Sequence, residues 1–268
     1  ILVLATRFEG QDLQQLQKGT SSAKSVTVSF YAKGTAKTYM CELSDQDNTR
    51  HNTQQFTVST SWTRHSLTFV GDTTGALDDD NALSLILSFW LHAGSTYSGG
   101  TYTANTWAST TSANRAAGID SFFSSTDNEL FITGVQMELG EQATPFEHRS
   151  FADELARCQR YYQAHGNGLN GLSFSIADMP ASIAADTGNI TGKSFVKMMR
   201  AAPTMVIYSR NSTANKVSLV ATGADQADST FAPNVIGVTG FHVVSRSGGS
   251  NLTKGDGVEY GYTADAEL

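Results

Sequence analysis

Period-two alternation of apolar and polar residues dominates the first 145 positions, and it places successive side chains on opposite faces of a sheet. Val26, Val28, Phe30 and Ala32 share one face, while Thr27, Ser29, Tyr31 and Lys33 share the other. The pattern recurs at Tyr39–Leu43, Phe56–Val58, Trp62–Val70, Leu83–Leu91 and Leu130–Leu139. With Ile1–Ala5 and a short piece around Leu13–Leu16 the strand count reaches about eight, punctuated by turns such as Gly71-Asp72-Thr73-Thr74-Gly75. Such a series predicts an antiparallel two-sheet jelly roll over residues 1–145. One segment breaks the rhythm: Gly94–Gly118 is rich in Gly, Ser, Thr, Asn and Tyr, with Trp107 near its middle. It is too long for a hairpin turn and too polar for a core.

The period then changes. Phe151, Leu155, Cys158 and Tyr162 recur at spacings of four, three and four, which predicts a helix over 150–162 with one apolar stripe. Ser150 is its expected cap, with Asp153 and Glu154 in the first turn and Arg157 and Arg160 toward the end, in accord with the helix dipole. Three turns are too few to be stable alone, so the stripe is expected to dock on a sheet or on other copies of the chain. A Gly-rich junction closes the connecting segment 146–171. Its Gly166-Asn167-Gly168-Leu169-Asn170-Gly171 matches G-x-G-x-x-G, but a dinucleotide site needs a strand before the glycines and a helix after them, the reverse of the order here. Alternation returns at Leu172–Ile176, Phe195–Met199, Met205–Tyr208, Val217–Val220, Val235–Val244 and Val258–Tyr262. Residues 172–268 therefore predict a second, smaller antiparallel sandwich, and the whole chain an all-β protein with one short connecting helix.

Composition narrows the function. Only 16% of the 268 residues are charged, and 18 basic face 25 acidic side chains for a net charge of -7. Nucleic-acid binding draws on clustered Lys and Arg, and no basic run exists, so nucleic acid is not an expected partner. No stretch reaches the roughly 18 apolar residues that cross a bilayer, so membrane insertion by a helix is not expected. Ile1 stands where a Met would begin a chain, and Ile1–Ala5 reads as the continuation of something longer. Cys41 and Cys158 lie far apart with no C-x-x-C, which reads as two buried, unpaired thiols in a chain folded in a reducing cytoplasm.

Catalytic signals are sparse. The six histidines show no H-x-x-x-H spacing and there is no G-x-S-x-G elbow. No cofactor is expected. Glu138 with Glu141 are candidates for the carboxylate pair of a glycosidase. The run Asp78-Asp79-Asp80 reads as a solvated turn, with a structural calcium as the sharper alternative, since hard cations take clustered oxygen ligands. Sugar rings present apolar C–H faces that exposed aromatics hold, and Trp107, Tyr97 and Tyr102 in the long loop are the first candidates for glycan contact, the alternative being that they close over the end of the sandwich or touch a neighbouring subunit. Tyr208, Arg210 and Asn211, near predicted turns with Asn215 and Phe231, form a second group. Trp62 and Trp90 lie in alternating strands and are expected in the core.

Three strings at the junction carry a resemblance. Ile132-Thr133-Gly134-Val135-Gln136-Met137-Glu138-Leu139-Gly140, Ala143-Thr144-Pro145-Phe146-Glu147-His148-Arg149-Ser150-Phe151 and Glu154-Leu155-Ala156-Arg157-Cys158-Gln159-Arg160-Tyr161-Tyr162 resemble a signature of tailed-phage virion proteins, commonly tail fibres with a carbohydrate-binding-module-like domain, from phages of marine and freshwater bacteria. Looser matches lie upstream at Glu9–Leu13, Lys18–Thr20 and Gly71–Gly75, and downstream at Met199–Thr204 and Tyr262–Leu268. The resemblance implies a galactose-binding-like jelly roll, a connecting helix and a small distal β-domain, assembled as a homotrimer in a virion after synthesis in the host cytoplasm. The implied role is non-enzymatic adhesion to a host surface polysaccharide or lipopolysaccharide, with other virion proteins as partners. A capsid decoration or head-fibre role is the alternative, and a polysaccharide depolymerase a further one. In a trimer the stripe Phe151, Leu155, Cys158 and Tyr162 would face a partner copy or a neighbouring sheet.

Overall fold

A computed structural model describes residues 1–166, 175–178, 189–225, 230–246 and 257–268. The chain forms two compact units, Ile1–His148 with Leu268, and Arg149–Glu267. Both are built from antiparallel sheets, and the protein is all-β apart from short helical pieces.

In the first unit the strands are β1 (Leu2–Glu9), β2 (Val26–Gly34), β3 (Lys37–Asp45), β4 (Arg50–Val58), β5 (Thr63–Phe69), β6 (Leu83–His92), β7 (Ala108–Ser109) and β8 (Leu130–Leu139), with a single helical turn α1 (Ser95–Ser98) between β6 and β7. They make two facing sheets, β1-β6-β3-β4-β7 and β5-β2-β8, the jelly-roll sandwich that the alternation predicts. The inward residues of both sheets form one core that includes Val28, Phe30, Tyr39, Cys41, Leu43, Phe69, Leu85 and Leu87. Phe30 of one sheet meets Phe56 and Phe89 of the other at ring distances of 4.9 Å each. Burial raises the Cys41 thiol well above its ordinary range, so it behaves as a small apolar side chain.

Two sequence expectations for this unit change. Leu13–Leu16 is not a strand: tight 3-10 turns occupy Gly10–Asp12 and Gln14–Leu16. Leu13 and Leu16 stand three residues apart, a spacing that puts both on one side of such a turn, and both are buried. The eighth strand is instead β7, inside the long polar segment, where it pairs with the start of β4.

The second unit opens with α2 (Phe151–Cys158), followed by β9 (Tyr162–His165), β10 (Ser175–Asp178), β11 (Asn189–Ser194), β12 (Thr204–Tyr208), β13 (Ser218–Leu219), β14 (Thr230–Asn234), β15 (Gly240–Arg246) and β16 (Gly257–Asp265). Ser150 caps α2 as expected, its Oγ accepting from the Asp153 N–H at 3.2 Å. The helix is shorter than its apolar spacing predicts. Arg160 and Tyr161 bond back three residues, to Arg157 and Cys158, and Tyr162 leaves the helix to pair with Asp265 of β16. The sheet ladder takes over the tyrosine's backbone groups, which decides the boundary. β16 pairs with β9, β10, β12 and β13, while β15 lies between β11 and β14. Their core gathers Phe195, Met199, Ile207, Val217, Phe241, Tyr260 and Tyr262. Phe195–Met199 is irregular rather than a strand; its backbone bonds Val238 and Thr239. Of the Gly-rich motif only Gly166 lies within the described residues, as do only Ser175 and Ile176 of the run that follows it.

Candidate functional site

Each sheet of the first sandwich also has an outward face, and the two are treated differently by the chain. On the five-stranded sheet the outward residues include Met40 and Glu42 of β3, His51, Thr53 and Gln55 of β4, and Trp90 of β6, as the register of these strands places them. The long polar segment lies across them. Tyr97 packs on Trp90 with ring centroids 5.3 Å apart, and Tyr97, Tyr102 and Ile119 close over Met40, Trp90 and Ala116. The Tyr102 hydroxyl accepts from the Gln55 N–H at 3.1 Å.

At the centre of this covered face Glu42 is completely buried. Arg115, from the segment, grips it in a fork, Nε to Oε1 at 2.7 Å and Nη2 to Oε2 at 2.8 Å. Trp90 Nε1 donates to Oε2 at 2.8 Å, and His51 Nδ1 lies 3.2 Å from Oε1. Burial alone would raise the Glu42 carboxyl; the bonds from His51, Arg115 and Trp90 outweigh it and hold the group below the ordinary carboxylate range. Arg115 is raised in turn, the pull of Glu42 exceeding the effect of its own burial.

A second charged knot is centred on a cation. Lys18 is buried, and its ammonium lies 2.5 Å from Asp45 Oδ2, 3.1 Å from Asp72 Oδ2, and 3.0 and 2.9 Å from the Thr74 and Gly75 carbonyls. Arg50 donates to both oxygens of Asp72, and Asn48 to Asp45. Burial opposes ionisation of Asp72, yet the bonds from Arg50, Thr74 and Lys18 keep its carboxyl low. Trp107 covers the knot, its ring 5.3 Å from the ammonium, while its Nε1 donates to the Val70 carbonyl at 2.7 Å.

The three loop aromatics expected to hold sugar are thus each engaged with the body of the sandwich, Trp107 over Lys18 and Tyr97 and Tyr102 over Met40 and Trp90. They do not converge on one open surface. Trp90 is buried as expected, but Trp62 is not a core residue: it is 49% exposed.

Trp62 belongs to the outward face of the sheet β5-β2-β8, where the register builds four rungs. Glu138, Thr27 and Thr68 form one, Gln136, Ser29 and Ser66 the next, Thr133, Tyr31 and Arg64 the third. Phe131 and Lys33 form the fourth, completed by Trp62 at the approach to β5. Residues 140–147 roof the first two rungs. Thr27 Oγ1 donates to the Gly140 carbonyl, Thr144 donates to Glu138 through both N–H and hydroxyl, and Gln136 accepts from the Glu147 N–H. Arg64 reaches the Thr144 carbonyl and Ser29.

The last two rungs stay open. Lys33 places its ammonium 5.4 Å from the Trp62 ring centre and 5.0 Å from that of Phe131. Arg64 lies over Tyr31 at 5.9 Å. Tyr31, Phe131 and, at the lip of the roof, Phe146 are all exposed along with Trp62. Gly134, at φ +61°, marks the bulge where β8 loses register against β2. A Cβ there would press on the Tyr31 ring at 3.3 Å, so glycine keeps Tyr31 and Phe146 side by side.

The other sequence candidates are placed as follows. Glu138 is tied to Thr144 and Gln136, whose hydrogen bonds hold its carboxyl low against desolvation. Glu141 lies 3.5 Å from the Ser25 hydroxyl. Asp78, Asp79 and Asp80 lie in an exposed turn, in which the Asp80 carboxylate accepts from the Ala82 N–H. No three acidic, His or Cys side chains among the described residues converge on a common point suited to a metal. Asn211 belongs to a knot around Asp225, which also accepts from Thr213 and Ser218; these bonds outweigh desolvation and keep Asp225 low. Arg210 Nη1 approaches Glu259 at 3.7 Å, and Tyr208 is half-buried in β12. The Phe231 side chain lies outside the described residues. Phe151 is 81% exposed, and Leu155 and Tyr162 are exposed too, although Tyr162 stands on β9 rather than on the helix; Cys158 is exposed rather than buried as expected, because it lies on the same uncovered stripe of α2, whereas Cys41 is buried.

No protein-family model matches the chain, and no curated protein does. Among solved structures, the chain is similar to discoidin II of Dictyostelium discoideum at 9% identity, over 93% of this chain and 76% of that one, with a TM-score of 0.23. So distant a likeness adds nothing to the strand order and register described above.

Proposed function

We propose that this chain is the non-enzymatic adhesive part of a tailed-phage fibre, and that it attaches to a host surface glycan through the open half of the β5-β2-β8 face. The observation that carries the adhesive reading is the row Phe131–Lys33–Trp62, two large aromatic side chains held half-exposed, one on β8 and one at the entry to β5. Aromatic faces stack on the apolar C–H face of a sugar ring, and a sheet fixes them without the ordering cost a mobile loop would carry. The virion setting is supported by the junction signature over residues 130–162. The uncovered stripe Phe151, Leu155 and Cys158 on α2 supports contact between copies, and linked copies gain avidity of roughly two to four orders of magnitude from weak single sites.

Retention of the purified protein on immobilised bacterial surface polysaccharides tests the adhesive reading, with Trp62→Ala as the control. Binding that survives Trp62→Ala unchanged, or no binding to any host polysaccharide, would remove it. Light scattering reports the number of copies, and immunogold labelling of particles distinguishes tail from capsid.

A further inference from the structure

Resting on that reading of the open face, we infer that its ligand is an acidic saccharide, one whose sugar carries a carboxylate, and that Lys33 is the residue that recognises the charge. The argument begins with the charges on the face. Arg64, on the third rung, and Glu138, on the first, feel one another's charge, and each is bonded to Thr144 of the roof. In the open half Lys33 is half-buried between Trp62 and Phe131, and among the described residues no carboxylate lies within ion-pair distance of it.

Two aromatic rings are weak compensation for a partly desolvated ammonium, each contributing about 0.5–1 kcal/mol. A carboxylate arriving above the rung supplies what the rings do not, a charge-assisted hydrogen bond to a donor with three protons. The spacing suits the occupant. The ring of Phe131, on β8, lies 5.0 Å from the ammonium and that of Trp62, at the entry to β5, lies 5.4 Å from it, so the two flank Lys33. A disaccharide laid across the rung can place one ring on an aromatic face and its acid group over Lys33. In a chain of net charge -7 an anion is not drawn in by the overall field, so the selectivity has to be local, and this is the position on the open face where the cation is unneutralised.

The test uses the full chain on an array in which each acidic polysaccharide, including polygalacturonate and alginate, stands beside its carboxyl-reduced form. The native member of at least one pair is expected to bind about tenfold more strongly than its reduced partner, a preference worth about 1.4 kcal/mol, and the preference should shrink with added salt. Lys33→Gln should bring native binding down to the level of the reduced form, while Trp62→Ala should weaken both forms together. Equal binding of native and reduced forms, or a Lys33→Gln variant indistinguishable from wild type, overturns the acidic-ligand inference and leaves the adhesive reading standing. Indifference of both forms to Trp62→Ala, or no binding of any pair, overturns the adhesive reading and this inference with it.

Discussion

Trp90, inside β6 of one sheet, and Trp62, at the entry to β5 of the other, meet opposite fates. Both have outward parity: Trp90 alternates with the core residues Leu85, Leu87, Phe89 and Leu91, and Trp62 falls in step with Arg64, Ser66 and Thr68. Trp90 vanishes beneath the long segment, 3% exposed, whereas the roof over the other sheet stops short and leaves Trp62 in the open. What separates them is what the chain lays over the strand afterwards. An aromatic residue under a strap is packing; the same residue on an uncovered rung is available to something else.

The largest effect should come from breaking the covered face at its centre. Glu42→Ala leaves Arg115 facing an empty, dry position, and it should cost about 3–5 kcal/mol in denaturant unfolding, while Glu42→Met with Arg115→Met should recover most of that loss. An unchanged midpoint for the single variant would mean that the strap is held by its aromatics alone. Lys18→Met strands Asp45 and Asp72 but leaves them Asn48 and Arg50, so a smaller loss of about 3 kcal/mol is expected by the same measurement.

The two kinds of aromatic are separated by a paired substitution. Trp107→Ala should destabilise the fold by about 2 kcal/mol, because it removes packing and a bond to Val70. Trp62→Ala should stay within about 0.5 kcal/mol of wild type and register instead in glycan retention. If Trp62→Ala unfolds the protein while Trp107→Ala abolishes retention, the assignment of the two faces is reversed.

The smallest effect concerns pH. Burial between Phe30 and Phe56 lowers the His65 pKa below its ordinary 6.5. The unfolded chain then binds the proton more readily than the folded one, so His65 contributes stability above about pH 6.5 that is lost as pH falls through its folded value. The depressed Glu42 and Asp72 carboxyls obey the same sign lower down, below about pH 4. A thermal-melt series should therefore show a shallow decline beginning near pH 6.5 ahead of the steep one, and His65→Leu should flatten the shallow part.

Much of this was legible along the chain. Strict alternation locates β2, β5, β6 and β8, because one face of each is dry and a slip of one residue would invert it. The same parity contained the signal for Trp62, which alternates with three polar residues; its bulk argued for the core and its register for the surface, and the register was right. The burial of Trp90 is expected from its strand, but the particular partners of Tyr97 and Trp107 are not readable, since they depend on contacts across tens of residues that no local period records. Nor was the partner of Lys18 visible, because Asp45, Asp72 and the Gly75 carbonyl meet only when three separate loops come together. The end of α2 is not legible, because a helix-like spacing continues into a tyrosine that the sheet claims.

Lys18 makes those three loops depend on a tethered ion. A cation taken from solution leaves when the medium is dilute, but an ammonium on a four-carbon stem is present once in every copy and cannot be rinsed away. The junction it holds is therefore set when the chain is synthesised, at a fixed stoichiometry, and its occupancy is indifferent to the composition of the water outside.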